Sequence, residues 1–115
     1  IERLMQIVGP SFAMEIFYTA RQFDASEALT MGLINRVVPR AELQTICDDY
    51  TRRISGNAPL TIRAVKTAVT ENLKAPADRN LALCAEQVAA CFASEDYKEG
   101  RTAFMEKRPP QFTGK

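Results

Sequence analysis

At 115 residues the chain has the length of one domain at most. Its 46 % hydrophobic and 25 % charged residues are an ordinary balance for a globular protein. Fifteen Lys and Arg against fourteen Asp and Glu leave a net charge of +1, too small a field to draw in nucleic acid or an anionic membrane. The sequence has no histidine, which excludes Ser-His and Cys-His nucleophilic pairs, imidazole acid–base work and most zinc sites.

The first ten residues, IERLMQIVGP, are apolar in character but carry Glu2 and Arg3 and lack a signal peptide's layout. Apolar runs elsewhere are short, so no transmembrane helix is expected. After Gly9-Pro10, Ser11 is placed to cap a helix through SFAMEIFYTA. Asp24 with Glu27 three residues on forms a capping-box pattern for a short helix that stops at Gly32, the residue type suited to a left-handed helix end. LINRVV at 33–38 is β-branched and closed by Pro39, which predicts one short strand. A single strand is not stable alone, so its partner must come from outside this sequence.

From Pro39 to Ser55, Leu43, Ile46, Tyr50 and Ile54 recur at helical spacing. SGNAP breaks the pattern, and a further helix is predicted from about Leu60 to Leu73 with Ile62, Val65, Val69 and Leu73 aligned. Pro76 ends it, and Asp78 is the candidate cap of the next, striped by Leu81, Cys84, Val88, Cys91 and Phe92. Ser94 caps a last helix, which Pro109-Pro110 prevents from continuing. The expected fold is therefore mainly α. Residues 1–38 read as part of a mixed unit and 39–115 as a helical subdomain. The three cysteines, Cys47, Cys84 and Cys91, read as small core fillers in a reducing, cytoplasmic compartment.

The last helix is the most informative surface. Phe104 and Lys107 are three apart, so they are expected to share a face of this helix, a ring beside an ammonium, an arrangement suited to an adenine nucleotide. The plainer reading is a solvated charged face with a core Phe. Gly100, inside the helix, points to close packing against another backbone or to a kink.

Two motifs make the sequence resemble a known family. TARQFDASEALTMGLINRVVP and SEDYKEGRTAFMEKRPPQFTGK are similar to two long stretches of the enoyl-CoA hydratase/isomerase (crotonase) family, and the segments between and before them resemble that family's helices. Ala20 stands where the family usually has Gly. The resemblance implies the C-terminal helical, trimerising part of a crotonase-like ββα superhelix, with 1–38 as the tail end of the core domain and 39–115 as the oligomerisation subdomain. It implies a lyase of fatty-acid β-oxidation that hydrates trans-2-enoyl-CoA to 3-hydroxyacyl-CoA. The acyl-CoA thioester is the substrate, with no separate cofactor and no metal, and the assembly is a homotrimer or hexamer.

The family's catalytic glutamates and oxyanion hole belong to its front half, so no catalytic residue maps onto this chain, and the 115 residues alone are expected to be inactive. Phe104 and Lys107 map onto the family's contact with the adenine end of CoA. The alternatives are a catalytically inert oligomerisation module or part of another family enzyme such as an enoyl-CoA isomerase. An unrelated RNA-binding domain fits poorly with the neutral charge.

Overall fold

A computed structural model describes all 115 residues. Six helices form: α1 (Glu2–Thr19), α2 (Ala25–Thr30), α3 (Leu43–Ser55), α4 (Pro59–Asn72), α5 (Leu81–Ala93) and α6 (Glu95–Glu106). The chain divides into two compact units, residues 1–44 and 45–115. The division falls a few residues beyond the composition shift at Pro39. No helix is long and apolar enough to cross a membrane.

In the first unit, α1 is two helical pieces joined at Gly9, whose backbone (φ 77°, ψ 167°) only glycine adopts without strain. The helix resumes at Pro10, whose fixed φ suits a first helical position and whose missing N–H costs nothing there. Ser11 therefore lies inside the helix and is not its cap. Val8, Ala13 and Met31 form the buried centre, with Leu4, Phe12, Ile16, Phe23 and Leu33 packed around them.

The capping box forms as the spacing predicts. The Glu27 amide donates to the Asp24 carboxylate at 2.8 Å, and the Asp24 amide donates to Glu27 at 3.0 Å. Gly32 adopts φ 75° just beyond α2. The predicted strand at 33–38 does not form. A strand exists only by pairing, and no ladder partner is present in this chain. The amides of Leu33 and Ile34 instead turn back to the Ala28 carbonyl.

In the second unit, α4 packs chiefly against α5. The face of α4 that is covered is Leu60, Ala64, Thr67, Ala68 and Glu71, mostly small residues that permit close approach. The predicted stripe Ile62, Val65, Val69 and Leu73 stays exposed. The α5 stripe splits: Cys84 and Cys91 are half-buried, while Leu81, Val88 and Phe92 are exposed. Cys47 is exposed and fills no core. The α3 residues Leu43, Tyr50 and Ile54 are likewise exposed.

The cap of α5 is Asn80, which accepts from the Leu83 amide at 2.9 Å. Asp78 instead lies in a 3-10 turn at 76–78. The connection between α4 and α5 is held by the buried Glu71 carboxylate, which receives the Lys74 ammonium at 2.7 Å and the Asn80 amide at 2.8 Å. Those donors, Lys74 first, hold the Glu71 carboxyl below its usual range. Arg79 donates to the Asn72 carbonyl, which the end of α4 leaves open, and to the Lys74 carbonyl beyond it.

Ala20 ends α1 in the left-handed region, φ 46°. A Cβ there costs about 1–2 kcal/mol, while glycine's freer unfolded chain returns about 0.5–1 kcal/mol of that difference. Ala20→Gly should therefore stabilise the chain by roughly 0.5–1 kcal/mol, read as a higher urea midpoint. A lower midpoint would show that the left-handed turn carries no strain.

Candidate functional site

The site is built on α6 and the nine residues after it. Ser94 caps α6 by accepting the Tyr97 amide at 3.1 Å, and Glu95 and Asp96 stand in the first turn, where the helix dipole favours carboxylates. The helix ends in a Schellman motif. The Lys107 amide donates to the Phe104 carbonyl at 3.3 Å and the Arg108 amide to the Ala103 carbonyl at 3.0 Å. The left-handed position of that motif, which usually holds glycine, is Lys107 itself (φ 54°, ψ 39°). A side chain at such a backbone costs about 1–2 kcal/mol.

The segment 108–115 folds back along α6. Glu99 receives the Arg108 guanidinium in a two-pronged ion pair at 2.6 and 2.9 Å, and the Gln111 amide at 2.8 Å. Arg108 also donates to Glu106 at 2.6 Å. One turn toward the start of the helix, the buried Asp96 carboxylate receives the amides of Thr113 and Gly114 at 2.7 and 2.8 Å. The Asp96 amide returns a bond to the Lys115 carbonyl at 3.2 Å. This return lays the Phe112 ring over Gly100, where an added Cβ would stand 3.5 Å from the ring. Gly100 thus faces a side chain, not another backbone. Pro109-Pro110 lies in the returning segment, beyond the left-handed turn at Lys107 that ends the helix.

Beside this strap lies an open, mostly apolar groove of about 640 Å³ among α4, α5 and α6. Val65, Ala68, Val88, Phe92, Phe104 and Phe112 give it its apolar character. Phe92 meets Tyr97 edge to face, centroids 5.1 Å apart, and the Arg101 guanidinium lies 6.0 Å from the Tyr97 centroid. Phe104 is 82 % exposed, so it is not a core residue. The helix stops at Glu106, so the expected shared face does not extend to Lys107. The Lys107 ammonium has no carboxylate partner, although Glu106 and Arg108 on either side are paired.

The carboxylates that the fold engages are already committed. Glu15 and Glu27 hold Arg21, Asp49 holds Arg52 and Arg53, Glu71 holds the α4–α5 connection, and Asp96 and Glu99 hold the strap. Sequence reasoning missed the strap. Its only local sign was two acids three residues apart on a helix followed by Arg108 and amides beyond a Pro-Pro break.

The sequence model of the enoyl-CoA hydratase/isomerase family matches residues 1–115. A crotonyl-CoA hydratase of Syntrophomonas wolfei is 39 % identical over 99 % of the chain, and a short-chain-enoyl-CoA hydratase of Clostridium acetobutylicum is 36 % identical over 93 %. The solved structure of an enoyl-CoA hydratase from Bacillus anthracis superposes with a TM-score of 0.88 at 30 % identity, covering 98 % of the chain. The helical arrangement is therefore one that occurs within crotonase-type proteins. The chain belongs to the enoyl-CoA hydratase/isomerase family. It spans 44 %, 41 % and 44 % of those three relatives.

The paired Arg108, and then the Gln111 amide, hold the Glu99 carboxyl down at about 2, from an ordinary value near 4.5. The strap's support from Glu99 is therefore complete above pH 4.5 and is lost as the pH falls toward 2. The Gln111 amide resonance should titrate near pH 2. A midpoint near 4.5 would show that Glu99 does not hold it.

Proposed function

We propose that these 115 residues are the C-terminal part of an enoyl-CoA hydratase, supplying its oligomerisation surface and part of its CoA site. The observation that carries this reading is end-to-end similarity to hydratases over less than half of their length, combined with helices whose large apolar side chains face outward. In the whole enzyme, water would add across the double bond of a trans-2-enoyl-CoA, its oxygen bonding to C3 and a proton going to C2. Preorganised donors would hold the negative charge that develops on the thioester oxygen. A carboxylate pair would activate the water and deliver the proton. In this reading those groups belong to another part of the enzyme, which accords with the engagement of Glu15, Glu27, Asp49, Glu71, Asp96 and Glu99 by donors of this chain.

Phe104 and Lys107 are the proposed CoA contacts. The exposed ring borders the apolar groove and offers a surface for a base, and the unpaired ammonium suits a phosphate. The proposed partners are acyl-CoA thioester and further copies of the chain, in a trimer or hexamer. Burying a large apolar side chain is worth about 1.5–3 kcal/mol, so the exposed stripes of α3, α4 and α5 favour association. The same stripes favour the second reading, an inert oligomerisation module.

The test is hydration of crotonyl-CoA by the purified 115-residue chain, followed by loss of the enoyl-thioester absorbance. The expected rate does not exceed buffer. A rate from a sample whose intact mass excludes longer enzyme would overturn the division of labour proposed here.

A further inference from the structure

Lys107 occupies the left-handed position of a Schellman motif, where glycine is the unstrained choice. A backbone held in a sparsely populated conformation persists only where its surroundings over-determine it. Here the surroundings are specific. Arg108 is fixed to Glu99 by two short ion-paired hydrogen bonds and to Glu106 by a third, and the Gln111 amide is fixed to Glu99 as well. Lys107 is therefore flanked by anchored residues while its own ammonium is unpaired and exposed. A free lysine tail would sample many directions. Anchoring the turn removes the backbone part of that freedom before any ligand arrives.

We propose that Glu99 is a positioning residue for Lys107, pinning through Arg108 and Gln111 the left-handed turn from which the Lys107 ammonium meets a phosphate of CoA. The proposal rests on the reading of Lys107 as a CoA contact. Glu99 itself touches no ligand. Its two carboxylate oxygens are occupied by Arg108 and Gln111.

The experiment uses the 115-residue chain, with CoA and 3′-dephospho-CoA as probes, and reads two quantities. The first is the conformation of the turn, from the Lys107 backbone coupling and the exchange protection of the Gln111 amide. The second is the ratio of affinities for the two probes. Glu99→Gln should abolish the left-handed signature at Lys107, lower the Gln111 protection about tenfold and bring the affinity ratio to that of Lys107→Ala. Arg108→Gln breaks the same pair from the other side and should do the same. Glu99→Asp keeps the carboxylate and should restore part of the ratio.

A merely structural role would weaken both probes equally and leave the ratio intact, and that result would overturn the proposal. An unchanged turn in Glu99→Gln would overturn it too. If Lys107→Ala leaves the ratio unchanged, or the unaltered chain shows no preference for CoA, the CoA contact fails and the positioning role fails with it. The turn measurement then reports separately on whether Glu99 anchors the strap.

Discussion

Two carboxylates one turn apart on α6 organise everything that follows that helix. Asp96 and Glu99 accept four backbone or guanidinium groups from a segment that has no regular structure of its own. Carboxylates suit this work because each offers two oxygens with several acceptor directions, and bonds from charged partners are the stronger kind. Asp96 spans 17 and 18 residues to reach Thr113 and Gly114, so it closes a loop rather than a turn. With the strap in place, Phe112 lies on Gly100 and completes one side of the apolar groove, and the end of α6 is fixed at Lys107. Side-chain chemistry here stands in for the sheet or helix packing that would otherwise order an irregular segment.

The packing of the helices follows a second constraint. The faces that α4 and α6 bury are centred on small side chains, Ala64 and Ala103, and no large side chain is fully buried anywhere in the chain. Val65, Val69, Leu73, Val88 and Phe92 face outward. This is the inverse of the usual arrangement, and surfaces of this kind mark association. It accords with a chain that matches less than half the length of its hydratase relatives. The proposed function follows from that inversion more than from any single residue.

The legible parts of the fold were those set by residues three or four apart. Asp24 with Glu27, Gly32 and Ser94 all act where their spacing predicted, because a cap is a local bond between a side chain and the next turn's amides. The strand expected at 33–38 does not form, since β-branched composition describes a capacity to pair and pairing needs a partner. Asp78 was the expected cap of α5, but the 3-10 turn at 76–78 takes it up and Asn80 caps the helix instead. Helical periodicity found the large apolar stripe of α4 but not the face that meets α5, which is the neighbouring row of mostly small residues around Ala64. At the site, Phe104 and Lys107, the proposed CoA contacts, were singled out by motif resemblance. Glu99 and Asp96 were not, because their partners lie 9 to 18 residues away.

The central claim is that the outward apolar stripes are interfaces between copies or parts of one enzyme. Light scattering of the purified chain at tens of micromolar tests it most directly. The account predicts a mass that is a multiple of the 12.8 kDa chain, with a trimer the expected species. A clean monomer would contradict it, and would mean that these stripes rest stably against water.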